Sequence, residues 1–315
     1  MVLRAFRPAV GLVLGLSLIA APALAQQRGR LLQQWMAKRS AAADAGAPTV
    51  PAPRTLAYGA DPKQACDYWP AGAGTPARPP LVVFVHGGAW SMGDKASGTG
   101  KWKPAHFTAA GYAFASLDYR LVPQVRVEDE AADVALALRH LIDHAGALGF
   151  DPAHIVLMGH SAGAQLVALV GTDERYLKGV GLSFASLAGV IPIDGAGYDV
   201  PKQMAGHAPQ FLQQKYTAAF GSDPARQRAL SPTFAAAARK GLPPFLLLHV
   251  QRPDGVAQAE ELAAALHDAG AMVTRQGFPG EGLSGHLEIN RRLGDPAYPA
   301  TAVVDDWLRA RWDER

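Results

Sequence analysis

Several short stretches of this chain carry residues that could do nucleophilic chemistry together. "HIVLMGHSAGAQLVALV" (154–170) holds Gly159-His160-Ser161-Ala162-Gly163 between two apolar runs. A strand passing directly into a helix needs a sharp turn, and the two glycines remove side chains where the backbones crowd. Ser161 is then forced outward, with the N–H of Ala162 at the start of a helix, where developing negative charge is favoured. The pentapeptide alone is weakly specific; what matters is whether the chain also supplies an oxyanion hole, a base and an orienting acid.

"HGGAWSMGDK" (86–95) follows a buried apolar run and meets the first need. Its glycines let the N–H groups of Gly88 and Ala89 point into a site and complete an oxyanion hole with Ala162. His86 reads as a structural histidine bracing this loop, and Trp90 as core or pocket wall. His160, next to Ser161, is a candidate pocket residue.

A serine nucleophile also needs a base. After the last long apolar strand, "PFLLLHV", the chain contains only two histidines, His267 and His286. His267 sits inside the helical pattern "AEELAAALHDAG" and has little freedom to swing over a turn. His286, after the strand "MVTRQGF" and a Gly-rich loop, is the expected base. Two acids compete to orient it. Asp254, in "HVQRPDGVAQ", is preferred because its loop immediately precedes the one carrying His286; Asp194, at the end of "GVIPID", is the rival. Asp254 also fits a turn or near-N-cap position.

The elements that would hold these residues alternate along the chain. "TLAYG" and "ACDYWP" read as short edge strands. "PLVVFVHGG", "YAFASLDYR", "HIVLMG", "SLAGVIPID", "PFLLLHV" and "MVTRQGF" read as further strands, most of them near-continuous apolar runs. Helical patterns intervene, the longest being "RVEDEAADVALALRHLIDHAGALG", with "PATAVVDDWLRARW" closing the chain. Such alternation predicts an α/β domain with a mostly parallel sheet covered by helices on both faces. Between about 195 and 241 it lapses into mixed helical and Pro-marked sequence, expected to form a small cap insertion. Its "QFLQQKYTAAFG" suits either a packed cap helix or an acyl-pocket lid.

Taken together, "HGGAW", "GDK", "DYRL" and "GHSAG" resemble the esterase, lipase and kynurenine-formamidase-like branch of the α/β hydrolases, with further likeness at "AYGADPKQACDYWP" and "SPTF". The resemblance runs from about residue 55 to near the C-terminus. It implies an α/β-hydrolase fold with Ser161 as nucleophile, His286 as base, Asp254 as orienting acid, and Gly88, Ala89 and Ala162 as oxyanion donors, without metal or organic cofactor. It further implies a serine carboxylesterase acting on small-molecule esters, with an arylformamidase-like amidase or a non-catalytic binding scaffold as alternatives.

The remaining features set the context. The chain has 315 residues, 49% of them hydrophobic, and a net charge of only +3, so no nucleic-acid-binding stripe is indicated. Residues 1–25 read as a signal peptide: Arg4 and Arg7 precede an apolar stretch, and "APALA" places small residues before a cleavage site ahead of Gln26. An exported, periplasmic or secreted protein is expected, without stable membrane insertion after cleavage. Residues 26–53, polar and Pro-punctuated, read as a flexible arm before the hydrolase domain at 54–315. The single cysteine, Cys66, reads as core filler. His140, Asp143 and His144 have helical spacing that could hold a metal but more simply form a solvated face.

Overall fold

The computed structural model describes Asp44, residues 46–75 and residues 77–313. The chain divides between Ala45 and Gly46, and the second unit holds the whole sheet and the helices that cover it. The expected signal peptide lies outside the described residues, as does most of the arm.

Eight strands form one sheet: β1 (Arg54–Ala57), β2 (Ala65–Trp69), β3 (Leu81–Val85), β4 (Ala113–Leu117), β5 (Ile155–His160), β6 (Gly189–Ile193), β7 (Phe245–Gln251) and β8 (Val273–Glu281). Their spatial order is β1-β2-β4-β3-β5-β6-β7-β8. The first two strands pair antiparallel at the edge, and every pairing from β4 to β8 is parallel. This is the mostly parallel sheet expected from the apolar runs: all residues of β3, β4, β5 and β6 are buried.

The alternation of side chains along a strand divides the core in two. Leu81, Val83 and Val85 of β3 pack into one layer with Leu138 and Leu166, from the helices Val127–Asp143 and Ala162–Thr172. Val82 and Phe84 face the opposite layer with Phe107 and Val304, from the helices Trp102–Ala109 and Pro299–Asp313. A parallel strand needs this cover on both faces, which is why its sequence is apolar at consecutive positions.

Two local expectations change. The long helix ends at Asp143, and a one-turn helix, Ala145–Leu148, follows. The segment carrying His286 is a helix, Gly282–Arg292, rather than a loop. Between β6 and β7 the chain forms four short helices: Val200–Ala205, Gln210–Phe220, Pro224–Ala229 and Pro232–Ala237. At the end of the long helix, His140 stacks on His144 just beyond it at 4.2 Å, while Asp143 accepts a hydrogen bond from Arg139.

Candidate active site

Ser161 joins β5 to the helix Ala162–Thr172 with φ +57° and ψ −118°, a backbone that non-glycine residues rarely adopt. The strain is held from both sides. Its N–H donates to Ile193 O of the neighbouring strand at 3.0 Å. A Cβ on Gly163 would lie 2.3 Å from Val85 O, and one on Gly159 would lie 2.4 Å from Gly163 O. The helix after Ser161 can therefore approach the carboxyl ends of β3 and β5 only with glycine at both positions.

His286 Nε2 lies 3.0 Å from Ser161 Oγ, and its Nδ1 lies 2.6 Å from Asp194 Oδ2. With Nδ1–H donating to the carboxylate, Nε2 is left to accept the serine proton. The carboxylate is fully enclosed. Oδ2 also accepts from Arg252 Nε at 2.9 Å, and Oδ1 accepts from Val250 N–H at 3.2 Å. Burial works against ionisation of Asp194, but the hydrogen bond and charge of His286, with the Arg252 guanidinium, outweigh it. The carboxyl is held well below the usual carboxylate range.

The expectation that Asp254 orients His286 is therefore corrected. The chain turns into the helix Pro253–Asp268 directly after Arg252, which puts Asp254 in its first turn. There the Asp254 side chain is about half exposed, with Oδ2 3.5 Å from Arg252 Nη1. A carboxylate suits that position because it faces the positive end of the helix. Asp194 instead extends β6, the strand beside β5, so its carboxylate starts next to Ser161. Its own backbone is left-handed, with φ +44°, and its N–H donates to Leu248 O at 2.7 Å.

The glycine loop after β3 lies against the same point. A Cβ on Gly87 would fall 2.9 Å from Ser161 Cβ and 2.8 Å from His160 O, so Gly87 packs directly on the serine. Gly88 (φ +138°), in a backbone that glycine adopts freely, and Ala89 (φ +49°), in one rare for a residue with a side chain, come next. Neither their N–H groups nor that of Ala162 donate to a backbone acceptor among the described residues. His86 braces the loop, as its position after the strand suggests. It is wholly buried, donates from Nδ1 to Gly87 O at 2.7 Å, and stacks on Tyr119. The Tyr119 hydroxyl donates to His86 O, and Asp118 accepts from Lys95 N–H. Burial lowers the proton affinity of the His86 ring.

Of the two candidate pocket residues, neither is an open wall. Trp90 is buried and donates from Nε1 to Gln165 Oε1 at 3.0 Å. It packs edge-on against Phe220 and Tyr216 of the insertion, tying the glycine loop to the helix Gln210–Phe220. His160 is buried against the His286 ring, with centroids 4.4 Å apart. Its Nε2–H donates to His286 O at 2.9 Å, and burial, reinforced by His286, holds the ring well toward its neutral form.

A serine, an imidazole and a buried carboxylate in hydrogen-bonded sequence, with the chain order Ser161, Asp194, His286 at the carboxyl ends of a parallel sheet, define an α/β hydrolase. The fold agrees with solved structures. Esterase B from Lactobacillus rhamnosis superposes with a TM-score of 0.70 at 23% identity, over 92% of this chain and 96% of that one. Thermogutta terrifontis esterase 2, solved phosphonylated by sarin, gives 0.67 at 23% identity, over 84% and 96%. Within this class the chain belongs to the BD-FAE family, whose model matches residues 68–266.

Among curated relatives, the Mycobacterium tuberculosis carboxylesterase NlhH is 32% identical over 59% of this chain and 61% of its own length. Esterase LipC of the same species is 28% identical over 82% of this chain and 66% of its own. An Arabidopsis thaliana isoprenylcysteine alpha-carbonyl methylesterase is 35% identical over 42% of this chain. The matched region covers 30% of that plant protein's length.

Proposed function

We propose that this protein is an exported serine carboxylesterase that cleaves esters of small to medium acyl groups through an acyl-enzyme. The observation that carries the reading is the continuous relay from Ser161 Oγ through His286 to Asp194. His286 Nε2 takes the serine proton as Oγ attacks the ester carbonyl. The N–H groups of Gly88, Ala89 and Ala162 receive the oxyanion, each such donor being worth about 3–4 kcal/mol in the transition state. The imidazolium returns its proton to the departing alcohol, leaving the acyl group on Oγ. Water, deprotonated by His286, then attacks the acyl carbonyl, and the imidazolium returns that proton to Ser161 Oγ as the acid is released. Asp194 stays ionised throughout and keeps the proton on Nδ1.

NlhH and LipC, named a carboxylesterase and an esterase, support ester rather than formamide cleavage. The test is a panel of p-nitrophenyl esters of increasing chain length, acetylated sugars, feruloyl esters and N-formylkynurenine, run beside Ser161→Ala. Turnover of the esters that disappears in the variant is the expected result. Full activity in a folded Ser161→Ala protein would refute the reading. Export is supported by the charged, apolar and small-residue order of residues 1–25. It predicts a mature chain starting at Gln26, which N-terminal sequencing of the extracytoplasmic protein would reveal.

A further inference from the structure

Arg252 is not accounted for by the hydrolytic reading, yet it touches the site's acid directly. Its side chain is 15% exposed. Nε lies 2.9 Å from Asp194 Oδ2, the same oxygen that accepts from His286 Nδ1. Nη2 lies 3.4 Å from Asp194 O and 3.3 Å from Gly195 O. The guanidinium thus grips the carboxylate and the backbone of the residue bearing it, where φ is +44°.

Space is kept for this grip. Gly255, in the first turn of the helix Pro253–Asp268, has no left-handed backbone to explain it. A Cβ there would fall 2.9 Å from Arg252 Nη2 and 3.4 Å from Asp194 Oδ1. Glycine costs helix stability relative to alanine, so its presence fits the room the guanidinium needs.

We propose that Arg252 is a positioning residue of the site, sharing Asp194 Oδ2 with His286 to fix the angle of the carboxylate and to set the pH at which His286 acts as a base. This rests on the reading of Ser161, His286 and Asp194 as a hydrolytic triad. A carboxylate gripped only by His286 would place its whole charge on the imidazolium and favour it strongly. One divided between imidazole and guanidinium favours it less, so removing the guanidinium should tighten the carboxylate's hold on the imidazolium. The other ionisable groups facing this cluster are His160 from β5, Lys103 acting on His160, Asp254 beside Arg252, Tyr198 and Tyr216 from the insertion, and Tyr298 ahead of the closing helix. None of them bonds to Asp194 Oδ2 among the described residues.

The experiment compares Arg252→Gln, Arg252→Lys and Gly255→Ala with the parent in kcat and KM profiles against pH. Arg252→Gln is expected to lower kcat about ten- to a hundredfold with KM nearly unchanged. Its acid limb should move up by about half a pH unit or more. Arg252→Lys should return the limb toward the parent position while kcat stays low, because it restores the charge without the planar fork. Gly255→Ala displaces the guanidinium without removing it and should shift the limb the same way by less, so the test survives if Arg252→Gln does not fold. An unmoved limb in folded Arg252→Gln, or in Gly255→Ala if the former is unfolded, would overturn the proposal.

The NMR titration of the His286 Nδ1–H signal in parent and variant provides a readout that needs no turnover. An inactive parent would refute the esterase reading. An unmoved titration in Arg252→Gln would refute only the role of Arg252.

Discussion

Asp194 Oδ2 stands 2.6 Å from His286 Nδ1, although the two residues are 92 positions apart in the chain. Asp254, far nearer in sequence, points outward beside Arg252. Asp194→Asn and Asp254→Asn should therefore behave very differently. An amide at 194 can present its NH2 to Nδ1 and favour the wrong tautomer, so kcat/KM should fall by about 10³–10⁴. Asp254→Asn should stay within about threefold of the parent, since it removes only a half-exposed charge. Because Asp194 is held ionised, it should add no titration of its own to the activity profile near neutral pH. The loss of rate on acidification then comes from protonation of the base.

The glycine loop offers a second test. A methyl group on Gly88 would sit 1.9 Å from Met92 O, at a φ of +138°. Gly88→Ala must move the loop, and the loss of one oxyanion donor alone predicts a fall of about 10²–10³ in kcat. Circular dichroism and a thermal melt would separate this from unfolding.

His160 supports His286 from below, through its Nε2–H to His286 O. His160→Phe fills a similar volume but removes this side-chain hydrogen bond to the helix that carries His286. A stability loss of about 1 kcal/mol is expected from denaturant unfolding, with kcat falling as the imidazole loses its seat.

Glu130 makes stability depend on pH. It is buried, and its Oε1 accepts from Val122 N–H at 3.1 Å. Burial pushes its carboxyl up to about 9, so the folded chain holds a proton there that the unfolded chain has released above its ordinary range near 4.5. Between these limits unfolding releases a proton, and this contribution to stability falls as pH rises. Glu130→Gln keeps the acceptor and cannot ionise. Its stability relative to the parent should therefore grow by a few kcal/mol from about pH 5 to pH 9, measurable by urea melts across that range.

Cys66 is fully buried in β2, and burial pushes its thiol up to about 12. Folded protein should not react with a disulfide reagent at neutral pH, and one equivalent of thiol should appear on denaturation.

Much of this molecule is written in local pattern. The strands of the sheet interior show as apolar runs because both their faces are covered. Ser161 shows because a strand-to-helix turn needs Gly159 and Gly163 wherever it occurs. His286 follows from its place after the last strand, though the Gly-rich segment around it winds into a helix that packs beside β7 and β8. The roles of His160 and Gly87 are less legible, since they lie in contacts with residues distant in the chain.

The acid is not settled by local pattern. Asp194 and Asp254 both lie between Ser161 and His286, so chain order admits either, and each comes after an apolar strand. Two things separate them: which strand lies beside β5 in space, and the helix that begins at Pro253. The sequence by itself determined the strands, the serine turn and which imidazole meets the serine, because these show in short local patterns. Only the tertiary structure decided which carboxylate meets the imidazole, because that contact depends on the order of strands in the sheet.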